Sequence, residues 1–285
     1  MNKTLLIAAA ALAAGVISSQ AQVYSQNVVG YVNQPIPAGG YQIVASQLIN
    51  GSDANKTNGD VNVLFSGLVS SPVPVTVGNP GQDPALSSNT VVYAWFGGSL
   101  HTYYYFNSAD IITWNGSGSA GFYDSIGTPL ALSLPPGNAV FLKNNFSQPI
   151  TVTTVGTVFQ GTNVATIASG YNLISFEAPI ADAPNASNYG LPLNLTSSPN
   201  DPPTLTQNDT IFVWYNNSLT TFYYFNSADA TSWQNSGGST PVFPAGFYDS
   251  IGGAMPTGAF PQVNQGFYLY HNGAPISWTN SFTVQ

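Results

Sequence analysis

The chain has no cysteine and no arginine, and charged residues make up only 5% of its 285 positions. Without cysteine there are no disulfides and no thiol chemistry, so stability must come from a buried core. Three lysines, Lys3, Lys56 and Lys143, stand against 11 acidic residues. Binding to nucleic acid or to anionic membranes depends on basic side chains, and the sequence therefore excludes both partner classes.

Long apolar runs are missing beyond the first residues. Lys3, the apolar run Leu5–Ile17, and the small residues Ser19 and Ala21 form the pattern of a secretory signal peptide. This run is shorter than the about 20 residues that span a bilayer. We therefore expect residues 1–21 to be a signal peptide. The remainder is expected to be exported to the extracellular space, cell surface or periplasm, without membrane insertion.

The chain does contain an internal repeat. Trp95–Trp114 matches Trp214–Trp233 at 12 of 20 positions, and Ala120–Gly127 recurs unchanged as Ala245–Gly252. A repeat of this size is a whole domain rather than a solenoid unit. We predict two homologous domains in tandem, residues 22–156 and 157–285.

Both copies show the pattern of short strands. Aromatic residues make up 13% of the chain, and runs of β-branched and aromatic residues alternate with Gly and Pro. The first copy predicts a hairpin, with strand Thr90–Phe96, turn Gly97-Gly98 and strand Leu100–Phe106; the second uses Asn216-Asn217 at the turn. No helical periodicity follows the signal peptide. The sequence therefore predicts an all-β fold of two β-sandwich or barrel-like domains.

Three segments carry a resemblance to a known kind of module. They are Gly170–Ser175 (GYNLIS), Val213–Tyr215 (VWY) and Gln265–Leu269 (QGFYL). The chain resembles tandem-duplicated exported bacterial β-domain proteins of unknown function, which begin with G-W/Y-N-L-I-S and end near P-G-x-G-F/Y-x-V. It departs from that pattern before the closing strands, at Pro135–Asn138 and Val263–Gln265. The resemblance implies export and a repeated β-domain, and no activity.

Two pairs of aspartates occupy corresponding places, Asp110 and Asp124 in the first copy and Asp229 and Asp249 in the second. Two carboxylates separated by about 5–10 Å can act as the acid and base of a glycosidase. The alternative is that they cap backbone N–H groups in turns. A duplicated non-catalytic domain retains turn residues in both copies, so we favour the capping role and expect no catalytic residues.

Cofactor signals are few. Asp53, Asn55 and Asp60 place oxygen side chains at spacings found in calcium loops, but the glycine falls late and Lys56 interrupts the run. We favour a solvated loop, with calcium as the alternative, and expect no other cofactor. His101 and His271 are isolated from one another and form no zinc motif.

Aromatic side chains are the strongest ligand candidates. Trp114, Tyr123, Trp233 and Tyr248 lie at corresponding places in the two copies. We favour core packing for the group, because an aromatic side chain buries about 150–250 Å². The alternative is stacking on sugar rings, for which Trp114 and Trp233 are the better candidates, because each falls in a Gly/Ser/Asn-rich stretch where we expect an exposed loop.

Taken together, these features predict an exported, non-enzymatic structural protein of a cell surface or extracellular matrix. Such a protein is expected to self-associate, because a chain with few charges cannot use them to block its strand edges. The alternative is a bivalent carbohydrate-binding protein that uses exposed Trp and Tyr side chains on a polysaccharide. A glycan-active enzyme is a more distant alternative.

Overall fold

The structure, a computed structural model, describes residues 29–49, 61, 65, 68, 86, 89–96, 98–132, 134–181, 191, 195–198, 205–234 and 242–282. Within these ranges the chain forms fifteen strands, with two eight-residue helices and a 3₁₀ turn at Thr257–Ala259. All strand pairs are antiparallel. The predicted all-β class is confirmed.

The first half of the chain contains a large and a small sheet. Its elements are β1 (Val29–Ile36), β2 (Tyr41–Ala45), β3 (Leu48–Ile49), β4 (Val91–Phe96), β5 (Ser99–Phe106), helix α1 (Ser108–Asn115), β6 (Gly121–Tyr123), β7 (Ala139–Lys143) and β8 (Ile150–Val158). The large sheet has the order β2-β7-β4-β5-β6, and the small sheet has the order β1-β8-β3. The opening strand β1 therefore pairs with the closing strand β8.

The second half repeats this arrangement, except that its small sheet has two strands rather than three. Its elements are β9 (Gly161–Ile167), β10 (Gly170–Ser175), β11 (Thr210–Tyr215), β12 (Ser218–Phe225), helix α2 (Ser227–Gln234), β13 (Gly246–Tyr248), β14 (Gly266–His271) and β15 (Ile276–Phe282). The large sheet has the order β10-β14-β11-β12-β13, and β9 pairs with β15. Each strand of this sheet occupies the place of its counterpart in the first.

The predicted hairpins are present. β4 and β5 pair along their length, beginning with Phe96 opposite Ser99 next to the turn. In this turn Gly98 has φ +78°, and Gly97 lies outside the described residues. In the second hairpin Asn216 and Asn217 have φ +50° and +60°. Two successive residues with positive φ make the turn whose twist matches the flanking strands, and asparagine tolerates that conformation well.

The expectation that no helix follows the signal peptide is wrong. Helix α1 begins after Asn107, whose Oδ1 accepts a hydrogen bond from the Asp110 N–H at 2.8 Å, and Asn226 caps α2 through Asp229 at 2.8 Å. Helix α1 ends at Gly116, with φ +77°. Eight residues are too few for an apolar period to show. The Asn-x-x-Asp spacing is the signal that could have found both helices.

The core forms in layers. Each large sheet packs one face on its small sheet. In the first half, Ile36 and Val152 of the small sheet pack with Val92 and Leu142 of the large sheet. In the second half, Ile167 and Trp278 pack with Ile211 and Leu269. The opposite faces of the two large sheets pack on each other, around Ile43, Ala45, Ala139 and Leu173. The order of layers is therefore small, large, large, small. No helix within the described ranges is both long and apolar enough to span a bilayer.

Candidate functional site

The two large sheets meet through aromatic side chains. The ring centroids of Tyr41 on β2 and Trp214 on β11 are 5.5 Å apart, and those of Tyr171 on β10 and Trp95 on β4 are 5.8 Å apart. Because β2 corresponds to β10 and β4 to β11, the two contacts are reciprocal, as in an isologous interface. We call this contact between β2, β4 and β7 and β10, β11 and β14 the junction.

Backbone contacts at the junction repeat the reciprocity. The N–H groups of Ala45 and Ser175 donate to the carbonyls of the opposite half at 3.0 and 2.9 Å. Isolated bridges connect Val44 and Ile174 to the opposite half in the same manner. The contacting pairs are Ala45 with Asn264, Ser175 with Gly137, Val44 with Gln265, and Ile174 with Asn138. The halves are thus related by a local two-fold axis.

Phe141 and Tyr268 lie at the centre of the junction. They occupy the same register in β7 and β14, and their ring centroids are 6.5 Å apart. Burial raises the pKa of Tyr268 to about 12, so its hydroxyl is neutral at physiological pH. The centre of the junction is therefore an uncharged aromatic contact.

Of the four predicted ligand aromatics, two lie on the helices and two, Tyr123 and Tyr248, lie on strands that pack against them. Trp114 is on α1 and stacks on Phe106 at 4.9 Å, and Trp233 is on α2 and stacks on Phe225 at 4.7 Å. Their exposed fractions decide their role: 7% for Trp114, 7% for Tyr123 and 3% for Tyr248, while Trp233 is half-buried. The expected exposure of Trp114 is therefore wrong, because the helix turns its side chain onto the sheet.

Two of the four predicted aspartates, Asp124 and Asp249, shape backbone turns. Asp124 Oδ1 accepts hydrogen bonds from the N–H groups of Ile126 and Thr128 at 3.0 and 2.8 Å. Asp249 makes the same turn, with Ile251 and Gly253 at 3.0 and 2.7 Å. The favoured capping role is confirmed for these two carboxylates, each of which accepts hydrogen bonds from two backbone N–H groups.

A buried ion pair was missed by the sequence analysis. His271 Nδ1 lies 2.7 Å from Asp209 Oδ2, and the two side chains are 2% and 0% exposed. His271 Nε2 lies 2.7 Å from the carbonyl oxygen of Ala274. Both ring nitrogens face acceptors, and only the imidazolium has two N–H groups to donate. Asp209 also accepts hydrogen bonds from the backbone of Thr196 and Asn272, so the pair anchors two loops to the end of β14.

A cleft of about 380 Å³ lies beside the junction and is lined by both halves. The first half supplies Pro135, Pro136 and Asn138, and the second supplies Phe159, Asn163, Ala165, Thr166 and Glu177. Glu177 is the single glutamate of the chain and is 3% exposed. The sequence analysis assigned Glu177 no role, although a single glutamate in a chain with only 5% charged residues could have marked it as a candidate site residue.

The described residues contain no group of three or more His, Cys, Asp or Glu side chains that could hold a metal ion. The calcium candidates Asp53, Asn55 and Asp60 lie outside the described residues. Comparison of the chain with protein-family profiles, curated proteins and solved structures found no match. Function is therefore inferred from the geometry of the junction, the cleft and the strand edges.

Proposed function

We propose that the chain is an exported, non-enzymatic structural protein of a cell surface or extracellular matrix. It is a tandem of two homologous β-domains, residues 22–156 and 157–285, that assembles with further copies through its strand edges. The observation that carries the proposal is the uncharged edge of each small sheet. Neither β1 (VGYVNQPI) nor β9 (GTNVATI) contains a lysine, arginine, aspartate or glutamate.

Edge strands present hydrogen-bonding groups on which another strand can add, and proteins commonly block them with charges or proline. β1 and β9 are edge strands of their sheets. Pro35 removes one donor from β1, whereas β9 contains no proline. β15 (ISWTNSF), the other edge of the same two-stranded sheet, also has no charge and no proline. The β9–β15 sheet is therefore the expected contact with a second copy.

The outward faces of the small sheets carry no charge and combine hydroxyl and amide groups with the exposed apolar side chains of Tyr31, Val155 and Val164. Thr162 Oγ1 and Ser281 Oγ lie 2.7 Å apart across β9 and β15, and Thr153 donates to Asn33 at 2.7 Å across β1 and β8. Such faces exert no long-range repulsion on a neighbouring copy and leave apolar surface for it to cover. The burial of Trp114, Tyr123 and Tyr248 removes the basis for sugar stacking at those residues.

Sedimentation velocity across a range of concentrations tests the assembly. The purified chain is expected to form larger species as concentration rises. Val164→Lys, which places a charge on the exposed side of β9, is expected to shift the distribution to monomer. The matched control is Val242→Lys, at an exposed position outside the strands, which should assemble normally. A chain that stays monomeric at all concentrations, or equal assembly by both variants, would refute edge-mediated assembly.

A further inference from the structure

The two residues nearest the local two-fold axis of the junction differ between the halves. They are Ala139 and Gly266, which begin β7 and β14 at the same register and contact each other across the junction. A Cβ at Gly266 would lie 2.2 Å from Ala139 Cβ, whereas carbon atoms in good contact are about 3.5–4.0 Å apart. The alanine of one half therefore fills the space that the glycine of the other half leaves.

This difference disfavours a junction between two identical halves. Two first halves in the same geometry would bring two copies of Ala139 into collision. Two second halves would set glycine against glycine and leave the axis unfilled. They would also place Asn264 where its counterpart Gly137 lies, and a Cβ at Gly137 would be 2.9 Å from Glu177 Cγ. The junction therefore selects a first half for each second half.

The covalent connection between the halves is short. β8 ends at Val158 and β9 begins at Gly161, so that Phe159 and Gln160 alone lie between them. Gly161 has φ +114°, a conformation that glycine adopts without the steric cost that other residues meet. Short hinge segments favour the exchange of elements between copies, because the exchanged form keeps the contacts of the closed form and changes only the hinge.

We propose that the junction is also a contact surface between two copies of this chain, in which the first half of each copy binds the second half of the other. Each exchanged junction reproduces the contacts of the closed one, including the Tyr41–Trp214 ring pair. The closed form is favoured in dilute solution, because the short link holds the halves at a high effective concentration. Folding at high protein concentration favours the exchanged dimer. The exchange rests on the proposed assembly of copies, but it uses the junction and not the strand edges.

Two complementary variants test the exchange. Ala139→Gly removes the side chain that fills the axis, and Gly266→Ala adds one that collides with it. In an exchanged dimer of the two chains, one junction has its alanine and glycine reversed and the other is native, so both are filled. The chains, one of them mass-tagged, are unfolded, mixed and refolded together, and native mass spectrometry counts the dimers.

We expect mixed dimers to exceed the dimers of either chain alone by about tenfold or more, because overpacking or a void is relieved only in the mixed form. The matched control carries Ala139→Gly and Gly266→Ala in one chain. It restores the contact within that chain and should form no excess of dimers on mixing.

A disulfide probe reports the exchange without altering the axis, and it decides alone if Gly266→Ala does not fold. Asn138 and Ile174 form a bridge between the halves, and the chain has no cysteine of its own. Asn138→Cys and Ile174→Cys are placed in separate chains that are refolded together and oxidised, and a disulfide between the two chains is expected. The double variant, which should link within one chain, checks the geometry. Val242→Cys, at an exposed position outside the strands, replaces Ile174→Cys to measure chance links.

Mixed dimers no more abundant than unmixed ones, or links no more frequent than with Val242→Cys, would overturn the exchange of halves. Val164→Lys in both chains separates this result from edge assembly. Exchanged dimers formed by refolding should persist with Val164→Lys, whereas the larger species that the purified chain forms at high concentration should not. Larger species without linked dimers would leave assembly through the edges standing and overturn the exchange alone.

Discussion

Single residues differ between the halves where the backbone is the same, and the ion pair is the clearest example. His271 is the last residue of β14, and its counterpart in the first half is Asn144, which directly follows β7. Asn144 Nδ2 donates to the carbonyls of Pro37 and Gln148 at 3.0 and 2.8 Å. The first half therefore satisfies this position with neutral groups, whereas the second half requires a charged partner for Asp209.

His271→Asn is expected to destabilise the protein by about 3–5 kcal/mol, because it leaves the Asp209 carboxylate buried without its cation. Asp209→Thr should also destabilise the protein, because it leaves the buried imidazolium of His271 without its carboxylate. Thr90 holds the place of Asp209 in the first half, where no imidazolium lies opposite it. The double variant restores the first-half combination and should cost less than the sum of the single changes. Chemical denaturation of all four proteins measures the coupling.

Asp229→Asn is the control for this cycle, because its half-buried carboxylate lies in the first turn of α2, apart from the ion pair, and accepts from Asn226 Nδ2 at 2.7 Å. Its effect should be within about 0.5 kcal/mol of zero. If the change in unfolding free energy of the double variant equals the sum of the two single changes, the two side chains do not act as a pair.

At the scale of elements, the second hairpin turn depends on two residues with positive φ. Asn217→Val is expected to cost about 1–2 kcal/mol, because a β-branched side chain at φ +60° meets its own backbone. Asn217→Gly should be close to neutral, since glycine adopts this conformation freely. Thermal unfolding of the two variants compares them. Equal destabilisation by both would show that the asparagine side chain, rather than the turn conformation, matters.

The strands were predictable because their information is local. Alternating and β-branched residues bounded by Gly-Gly or Asn-Asn specify a hairpin within about 16 residues, and the observed bounds of β4, β5, β11 and β12 agree closely. The sequence analysis did not predict the helices, because each is only eight residues long and buries few side chains. In α1 the buried side chains are Ile111 and Trp114. Their sequence resembles a polar loop, and only the caps mark them.

At the scale of the whole molecule, the reciprocal junction predicts that the halves unfold together. A shared aromatic interface makes the stability of each half depend on the other, so calorimetry should show one transition whose van't Hoff and calorimetric enthalpies agree. Replacing both Trp95 and Trp214 by Ala should separate two transitions. Each single change should cost about 2–3 kcal/mol, less than for a fully buried tryptophan.

Trp233→Ala provides the contrast, because Trp233 packs on Phe225 beneath α2 and away from the junction. It should lower the melting temperature without dividing the transition. Two resolved transitions in the unmodified protein would contradict the coupling of the halves.

The sequence by itself determined the all-β class, the hairpins and their turns, the capping role of Asp124 and Asp249, and the lack of disulfides. Each of these follows from composition or from residues close together in the chain. The tertiary structure decided which aromatic faces are buried, that the large sheets meet, and that Glu177 lines a cleft. Gln47 and Asn264, which meet at the junction, are 217 positions apart. A local pattern shows that a strand has two faces, but what packs on each face is set by the element that the fold brings against it.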